Sequence, residues 1–348
     1  MRLVRRLASI LALVVLSIGL PVMASSNAWA FDVSGGASGS GSSSGSVVQG
    51  GDGSVDIAVY AEFTSAAPDG SGSGSGGGVA TSSQVVTAAV HPVCWYKQLR
   101  TGAATAEMIE NTSDPDLAES LGEMFDGYDQ HAEDADGYWY RATCDYRYFL
   151  GDDPRDFDAY AREWLDGKTP VYVPAGQAAP ESVVDGETLA RAAWDAVTIP
   201  TATIGYNPMV GDVGATIVGM DTWVWATGDT PKEVEVTATA GSTTATITAT
   251  ASMLTLQPKD GTATCTGFGI PWTEENDAKG TDCKIVFDRS SAHFKDSVTP
   301  VDIKVSYAIT YTATDGASGS MDTHTTSTTT TIHVAEIQTI IVQPTDEP

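Results

Sequence analysis

The chain has 348 residues, with 45 acidic and 18 basic side chains and a formal net charge of −27 at pH 7. Such a field repels phosphate backbones and anionic lipid surfaces, so we expect neither nucleic acid nor an anionic membrane as a partner. The length allows more than one domain.

The N-terminus has the pattern of a secretory signal peptide. Arg2, Arg5 and Arg6 precede an apolar run over 7–20, and Ala28-Trp29-Ala30 supplies a small-x-small cleavage site. The apolar run is shorter than the roughly 20 residues of a membrane span. The sequence therefore predicts that residues 1–30 are removed after Ala30. We expect a secreted or cell-envelope-associated mature chain with no transmembrane segment.

Glycine and serine dominate 34–54 and 69–78. Such stretches bury too little apolar surface to offset the entropy of the chain, so residues 31–78 are predicted to be flexible. Alternating apolar residues over 55–63 predict one strand between the two runs.

Residues 79–200 are predicted to form a domain of mixed helices and strands. Asp114-Pro115 and Asp153-Pro154 each combine a helix cap with proline at the first helical position. A further helix is predicted over 187–197, and strands over 85–96 and 138–144.

Residues 201–343 are predicted to be almost entirely β, followed by a polar tail over 344–348. Alternation over 234–239 and 245–251, separated by Ala240-Gly241-Ser242, predicts a hairpin. Residues 301–311 form the clearest strand, and a phase slip in the last strand predicts a bulge near Ala335. About seven strands favour an immunoglobulin-like antiparallel sandwich, so the expected fold class is α+β, a small mixed domain followed by a sandwich.

Four cysteines in an exported chain favour disulfides, and they permit three connectivities. Local pairing of Cys94 with Cys144 and of Cys265 with Cys283 places one bridge in each predicted domain. We favour this pairing over a zinc site, because zinc sites use close cysteine pairs.

Two acidic clusters could bind calcium, although neither has the spacing of an EF-hand, and solvated helix faces explain them more simply. Their members are Asp126, Asp129, Glu133, Asp134 and Asp136, then Asp152, Asp153, Asp156 and Asp158. Ser290-Ser291-Ala292-His293 lacks the strand–elbow–helix context of a serine nucleophile. The other histidines, His91, His131, His324 and His333, stand singly. We therefore nominate no catalytic, cofactor-binding or metal-binding residue.

Several tryptophans could stack on sugar rings. The relevant aromatic residues are Trp95, Tyr96, Trp139, Tyr140, Trp223, Trp225 and Trp272. Core packing is the simpler interpretation, since tryptophans near cysteines commonly pack against a disulfide. Trp223 and Trp225 should point to one face of a strand, which fits a core face or a domain interface.

Four segments, in their order along the chain, resemble a family of secreted actinobacterial proteins of unassigned function. They are Asn207-Pro208, 218–225 (Val-Gly-Met-Asp-Thr-Trp-Val-Trp), 260–269 and 283–291. At the positions that match 218–225, that family tends to have V-G-L-P-T-W-L-W. This chain has Asp221 in place of the proline. Its C-terminal part is similar to a polycystic-kidney-disease (PKD) type β-sandwich. Of the W-D-F-G-D-G signature of that domain, Asp260-Gly261 alone is kept, so no ligand property transfers. The resemblance implies a non-catalytic extracellular module.

From these observations we expect a secreted or envelope-associated structural or adhesion-type protein that is not an enzyme and needs no cofactor. A cell-wall component or another extracellular protein is the expected partner. The alternative is an extracellular carbohydrate-binding or carbohydrate-active protein, motivated by the paired aromatic residues and the many acids.

Overall fold

The computed structural model describes residues 53–66, 80–151, 153–228 and 230–337. These residues are mostly β, with antiparallel pairing in all but one short pair of strands. The strands are β1 Val55–Ser65, β2 Thr81–Val90, β3 Cys94–Thr101, β4 Tyr138–Cys144, β5 Val171–Val173, β6 Thr203–Asn207, β7 Thr216–Ile217, β8 Asp221–Thr227, β9 Pro231–Ala240, β10 Thr243–Thr250, β11 Thr255–Pro258, β12 Gly261–Cys265, β13 Cys283–Phe287, β14 Thr299–Ala313, β15 Ser318–Ile332 and β16 Val334–Ala335. The helices are α1 Gly102–Glu110, α2 Pro115–Met124, α3 Pro154–Leu165, α4 Gly186–Ala196 and α5 Glu274–Asp277.

The large sheet has the order β2-β1-β9-β10-β14-β15, and β11 pairs with the part of β14 that β10 leaves open. Its alternating sequences place every second side chain on one buried face. Ala61, Val236, Ile247 and Tyr311 lie side by side across four strands, and all are buried. The opposite face carries threonine and glutamate, which are exposed or partly exposed.

A second sheet, β12-β13-β8-β6, shares a hydrophobic core with the large sheet. Val224, Ile285 and Phe287 are fully buried in that core. The helix α4 covers another part of the same buried face, because Leu189, Ala190 and Ala193 follow one another at helical spacing.

A third sheet, β3-β4-β5, has a smaller core of its own. Ile109 on α1, Phe125 after α2 and Trp139 on β4 form its buried centre. The two-residue strands β7 and β16 pair in parallel.

Several local predictions are confirmed. Asp114 and Asp153 cap α2 and α3 by accepting backbone N–H groups, with proline in the first turn of each helix. The turn Gly241-Ser242 joins β9 to β10, and β14 contains the predicted strand over 301–311. β4 has the predicted bounds.

One strand prediction is wrong. The strand over 85–96 is two strands, and it breaks at His91-Pro92-Val93, where proline cannot donate a ladder hydrogen bond. The bulge near Ala335 stays a prediction, because most of the segment beyond it lies outside the described residues. A bulge that was not predicted lies at Asp322 and Thr323 in β15.

Strands from different predicted segments pair with one another. β1 comes from the predicted flexible segment and β2 from the predicted mixed domain, yet the two pair with each other, and β1 also pairs with β9. The signal peptide over 1–30, most of the glycine and serine runs and the tail over 344–348 lie outside the described residues. No helix in the described part of the chain is long and apolar enough to cross a membrane.

Two glycine substitutions should change stability in opposite directions. The indole of Trp225 lies against Gly205 on the neighbouring strand, where an added Cβ would come within 2.6 Å of ring atom Cε2. Gly205→Ala should therefore destabilise the protein by about 1–3 kcal/mol through overpacking. Gly122 lies in α2 with its nearest neighbour at an ordinary 3.5 Å, so Gly122→Ala should stabilise the protein by about 0.5–1 kcal/mol. Urea denaturation measures both changes, and a stabilising Gly205→Ala would contradict the packing.

Candidate functional site

Both disulfides of the local pairing are present. Cys94 bonds Cys144 and Cys265 bonds Cys283, and neither bridge crosses between two sheets. Each joins residues that lie directly opposite each other on neighbouring antiparallel strands, β3 with β4 and β12 with β13. Each bridge therefore fixes the register of one sheet.

The rings of His91, Trp95 and Tyr148, which lie next to the bridged cysteines in sequence, pack against one another. Trp95 is nearly buried and meets the ring of His91 edge-on at 4.5 Å, and His91 stacks on Tyr148 at 3.6 Å. Asp145 accepts hydrogen bonds from the side-chain Nε of Arg147 at 3.0 Å and from its backbone N–H at 3.0 Å. The guanidinium group and then the backbone N–H of Arg147 lower the pKa of Asp145 to about 2. This group of residues packs the end of the sheet around the disulfide.

The first acidic cluster is dispersed, and its central member has a structural role. Asp134 accepts hydrogen bonds from the hydroxyl group of Tyr172 and from the backbone N–H groups of Asp136 and Gly137. These hydrogen bonds, that of Tyr172 first, lower the pKa of Asp134. Partial burial and then the bond to Asp134 raise the pKa of Tyr172 to about 12.

The second acidic cluster also has structural roles in part. Asp153 caps α3 and binds Arg155, with its Oδ2 at 2.6 Å from Nη2, while Asp152 lies outside the described residues. Among the residues that the structure describes, no three His, Cys, Asp or Glu side chains gather where they could hold a metal ion. The described residues of the two acidic clusters therefore do not form a calcium site.

The segment Ser290-Ser291-Ala292-His293 does not form a nucleophile–base pair. The Oγ atom of Ser291 donates to the carbonyl of Ser297 at 2.6 Å and accepts from the N–H of Val334 at 3.0 Å. His293 places Nε2 at 2.7 Å from Asp260 and Nδ1 at 3.0 Å from the carbonyl of Ser290. Since the Ser291 hydroxyl group donates to a backbone carbonyl and no hydrogen bond joins it to His293, the two side chains do not act as a pair. Asp260, in the Asp260-Gly261 turn before β12, thus lies beside the loop after β13.

The tryptophans divide into buried and surface positions. Trp139 is 2% exposed at the centre of the small core and cannot stack on a glycan. Trp223 and Trp225 share one face of β8, as predicted, but that face is opposite the buried Val224. Trp223 is nevertheless buried at 9% exposed, and the ring of Trp225 packs against Gly205, so the pair is packed on the face of β8 that lies opposite the main core.

A pocket of 260 Å³ lies between α4 and β15, and we call it the α4–β15 pocket. The last two turns of α4 supply Arg191, Trp194 and Asp195, and β15 supplies 321–324, with Met321, Asp322, Thr323 and His324. The edge of the Trp194 ring faces the His324 ring, with 5.9 Å between centroids and 83° between planes. The pocket thus combines an aromatic ring with hydrogen-bonding groups, as small-molecule sites do.

The beginning of α4 is fixed against the sheet, which positions its far end. Asp185 caps the helix by accepting from the N–H of Thr188 at 2.9 Å. Asp315, in the turn between β14 and β15, accepts from the N–H of Gly186 at 2.7 Å. A side chain at Gly186 would collide with Ala313 on β14, so glycine permits this close approach.

A β-bulge builds the other wall of the pocket. Met321 pairs with Ile309 and His324 pairs with Tyr307, so Asp322 and Thr323 together oppose the single residue Ala308. Paired residues point to the same side of a sheet, and Ile309 and Tyr307 both point inward. The bulge therefore turns both Met321 and His324 toward α4, whereas a regular strand would send them to opposite faces.

The basic and acidic residues that line the pocket differ in their ion pairs. Arg191 donates from Nε and Nη2 to Oε1 of Glu187, at 3.2 and 2.9 Å. No ion pair among the described residues involves Asp195 or Asp322, and both are exposed. Glu187 therefore neutralises Arg191, the one arginine that lines the pocket.

A second surface feature is an exposed apolar turn, which we call the apolar hairpin, over 208–216. Val210 and Ala215 form a β-bridge, and Gly211 and Gly214 adopt positive φ in the turn between them. Met209 is 57% exposed and Val213 62% exposed. Apolar side chains grouped at one loop mark contact surfaces more often than scattered ones do.

Sequence reasoning missed both features. It noted His324 only as a histidine that stands singly, and it placed Trp194 only within the helix predicted over 187–197. The segment 321–326 carried no signal of the bulge, because no apolar residue after Met321 marks a change of phase. The apolar hairpin could have been found from Gly211 and Gly214 flanking an apolar residue.

No protein-family model, no curated protein and no solved structure matches this chain. A functional assignment therefore depends on the geometry of the described residues.

The ion pair of Asp145 predicts a pH-dependent stability difference. The pKa of Asp145 is lower in the folded protein, about 2, than the ~3.9 of an unfolded aspartate. The stabilisation is therefore complete above about pH 4 and is lost as the pH falls toward 2. Asp145→Asn keeps the cap but removes the charge, so its Tm should lie below that of the native protein at pH 7 and match it near pH 2.

Thermal melts across this pH range measure the difference. The matched control is Asp126→Asn, at an exposed carboxylate with no ion pair in the described ranges. A Tm difference for Asp145→Asn that stays constant with pH would contradict the assignment.

Proposed function

We propose that the protein is a secreted or cell-envelope-associated, non-catalytic protein of structural or adhesion type. The observation that carries this proposal is the exposed apolar hairpin, which is held on a β framework with a disulfide in each of two sheets. Two disulfides support an oxidising, extracytoplasmic environment, because such bonds rarely persist in the reducing cytosol.

The finer architecture belongs to the same proposal. We propose that the large sheet and the four-stranded sheet form a sandwich of the PKD-like kind found in the resembling family of secreted actinobacterial proteins. Their shared core supports this comparison. The cross-strand position of Cys265–Cys283 differs from the bridge between sheets in antibody domains, so the comparison concerns the layers alone.

A contact through the apolar hairpin should be sensitive to one added charge. Val213→Lys should lower retention of the mature protein on purified actinobacterial cell wall, or on a partner protein bound there, by at least about tenfold, because the charge would have to be desolvated at the contact. Cosedimentation measures this retention. The matched control is Val183→Lys, at a valine that is 54% exposed and lies outside the hairpin.

Equal retention of the two variants would remove the hairpin as the contact surface. The non-catalytic part of the proposal has a separate test. Turnover of any substrate in a hydrolase panel, abolished by changing a single carboxylate, would overturn it.

The second candidate function is carbohydrate binding, and the α4–β15 pocket favours it. Trp194 supplies a ring on which a pyranose can stack, and the adjacent Arg191, Asp195, Thr323 and His324 supply donors and acceptors for hydroxyl groups. The volume of 260 Å³ lies just below the roughly 300–1,000 Å³ of drug-sized ligand sites, which suits a single sugar ring.

A glycan array tests this candidate. Trp194→Ala should abolish any glycan signal, because it removes the stacking surface. Trp272→Ala should keep the signal, since Trp272 is exposed elsewhere and bonds Asp277 through its indole N–H at 3.0 Å. A signal that survives Trp194→Ala in a protein with native Tm would count against the pocket.

A further inference from the structure

We propose that β2 is a contact surface for a second copy of this chain. The β2 strands of the two copies pair in antiparallel fashion about a two-fold axis, so that the two large sheets join edge to edge. The contact is separate from both functions proposed above, because β2 lies at the opposite edge of the large sheet from β15 and outside the apolar hairpin.

β2 is an edge strand whose outward backbone groups form no hydrogen bond with another described segment. It pairs with β1 alone, in a regular antiparallel register from Thr81 to Val90. In such a pair about half of the N–H and C=O groups of a strand point away from its neighbour. No backbone hydrogen bond joins residues 81–90 to any described segment other than β1. These groups can therefore accept a further strand.

β2 lacks the features that usually keep an edge strand from pairing with another chain. Protected edge strands are short, contain a bulge, or carry charged residues or proline. The ten residues of β2 include no charged residue and no proline, and the register with β1 has no bulge. At the other edge of the sheet, β15 has a bulge and Asp322. β3 has Lys97, Arg100 and a register shift, and the remaining edge strands among the described residues have at most five residues.

The hydrophobic core reaches β2 and is incompletely covered there. On β1, Val59 is 0% exposed, but Val86, directly opposite it on β2, and the nearby Ala88 are only partly buried. On the outer face of the sheet, Val85 is 70% exposed and lies opposite Tyr60, which is 45% exposed. Opposite residues of an antiparallel pair point to the same side. A second β2 with its inner face on the same side would therefore continue both apolar surfaces.

The absence of charge on β2 makes this edge suitable for a second copy of an acidic chain. Two copies with a net charge of −27 each repel one another. On the outer face of the sheet, the acidic residues closest to this edge are Asp56 and Glu62 of β1. In the joined sheet they lie at least three strand spacings from the acids of the second copy's β1, about 14 Å, which exceeds the screening length of ~8 Å at physiological ionic strength. Repulsion at the contact is therefore small.

Analytical ultracentrifugation of the mature protein over a range of concentrations tests the proposal. We expect a reversible equilibrium between monomer and dimer. Its dissociation constant should fall as salt is raised from low ionic strength, because screening reduces the repulsion between the two copies. Amide hydrogen exchange locates the contact, since residues 81–90 should exchange more slowly in the dimer than in the monomer.

A pair of lysine substitutions tests the strand itself. Val85→Lys combined with Thr87→Lys brings four lysines to the joined edge of the two copies, so the dissociation constant should rise by at least about tenfold. The matched control is Thr310→Lys combined with Thr312→Lys, at exposed positions on β14, which is an interior strand of the same sheet. Its dissociation constant should stay within about twofold of the native value, because these sites are remote from the contact. Thermal melts check that both variants are folded.

Both double variants reduce the net negative charge equally, so loss of the dimer in the first alone assigns the contact to β2. A protein that stays monomeric at every concentration would overturn the inference, and slow exchange of 81–90 in that monomer would assign the edge to another part of this chain. A dimer that survives Val85→Lys with Thr87→Lys, or that protects the apolar hairpin instead of 81–90, would also overturn it. Val213→Lys should leave the dimer intact, which separates this contact from the cell-wall retention proposed for the hairpin.

Discussion

The inner face of the large sheet is the surface on which the other parts of the molecule are assembled. Every second residue of β1, β9, β10 and β14 points into it, so that neighbours such as Val236 and Ile247 lie side by side and exclude water. Burial of apolar area at about 25 cal/mol per Å² makes a continuous face of this kind the main source of stability. The four-stranded sheet and α4 both bury their apolar residues against it. A shift of one residue in any of these strands would turn its apolar set to solvent.

The surfaces that we propose for binding lie where this regular packing ends. The α4–β15 pocket forms at the edge of the large sheet, where a bulge interrupts β15 and one helix covers the inner face. The apolar hairpin projects from the connection between β6 and β7, where two glycines with positive φ permit the turn. Rigid sheets with interrupted edges give binding groups a fixed position without requiring them to contribute to the core.

The predicted chemistry and the observed chemistry differ for a common reason. Asp134, Asp153 and Asp260 attracted notice as acids, yet each is used to cap, to pair or to tie one segment to another. In a chain with 45 acidic residues, many carboxylates will satisfy backbone N–H groups and basic side chains.

The spacing of apolar residues and the positions of glycine and proline in the sequence determined the local structure. The alternation of β14, the glycine turn between β9 and β10, and the Asp-Pro starts of α2 and α3 depend on neighbouring residues alone, so they could be predicted. The tertiary structure alone decided that β1 enters the large sheet beside β9, which lies far along the chain. It also decided that Trp194 meets His324, because a bulge and a helix position combine there. Contacts between residues distant in sequence depend on which faces pack together. A local sequence pattern does not specify which faces these are.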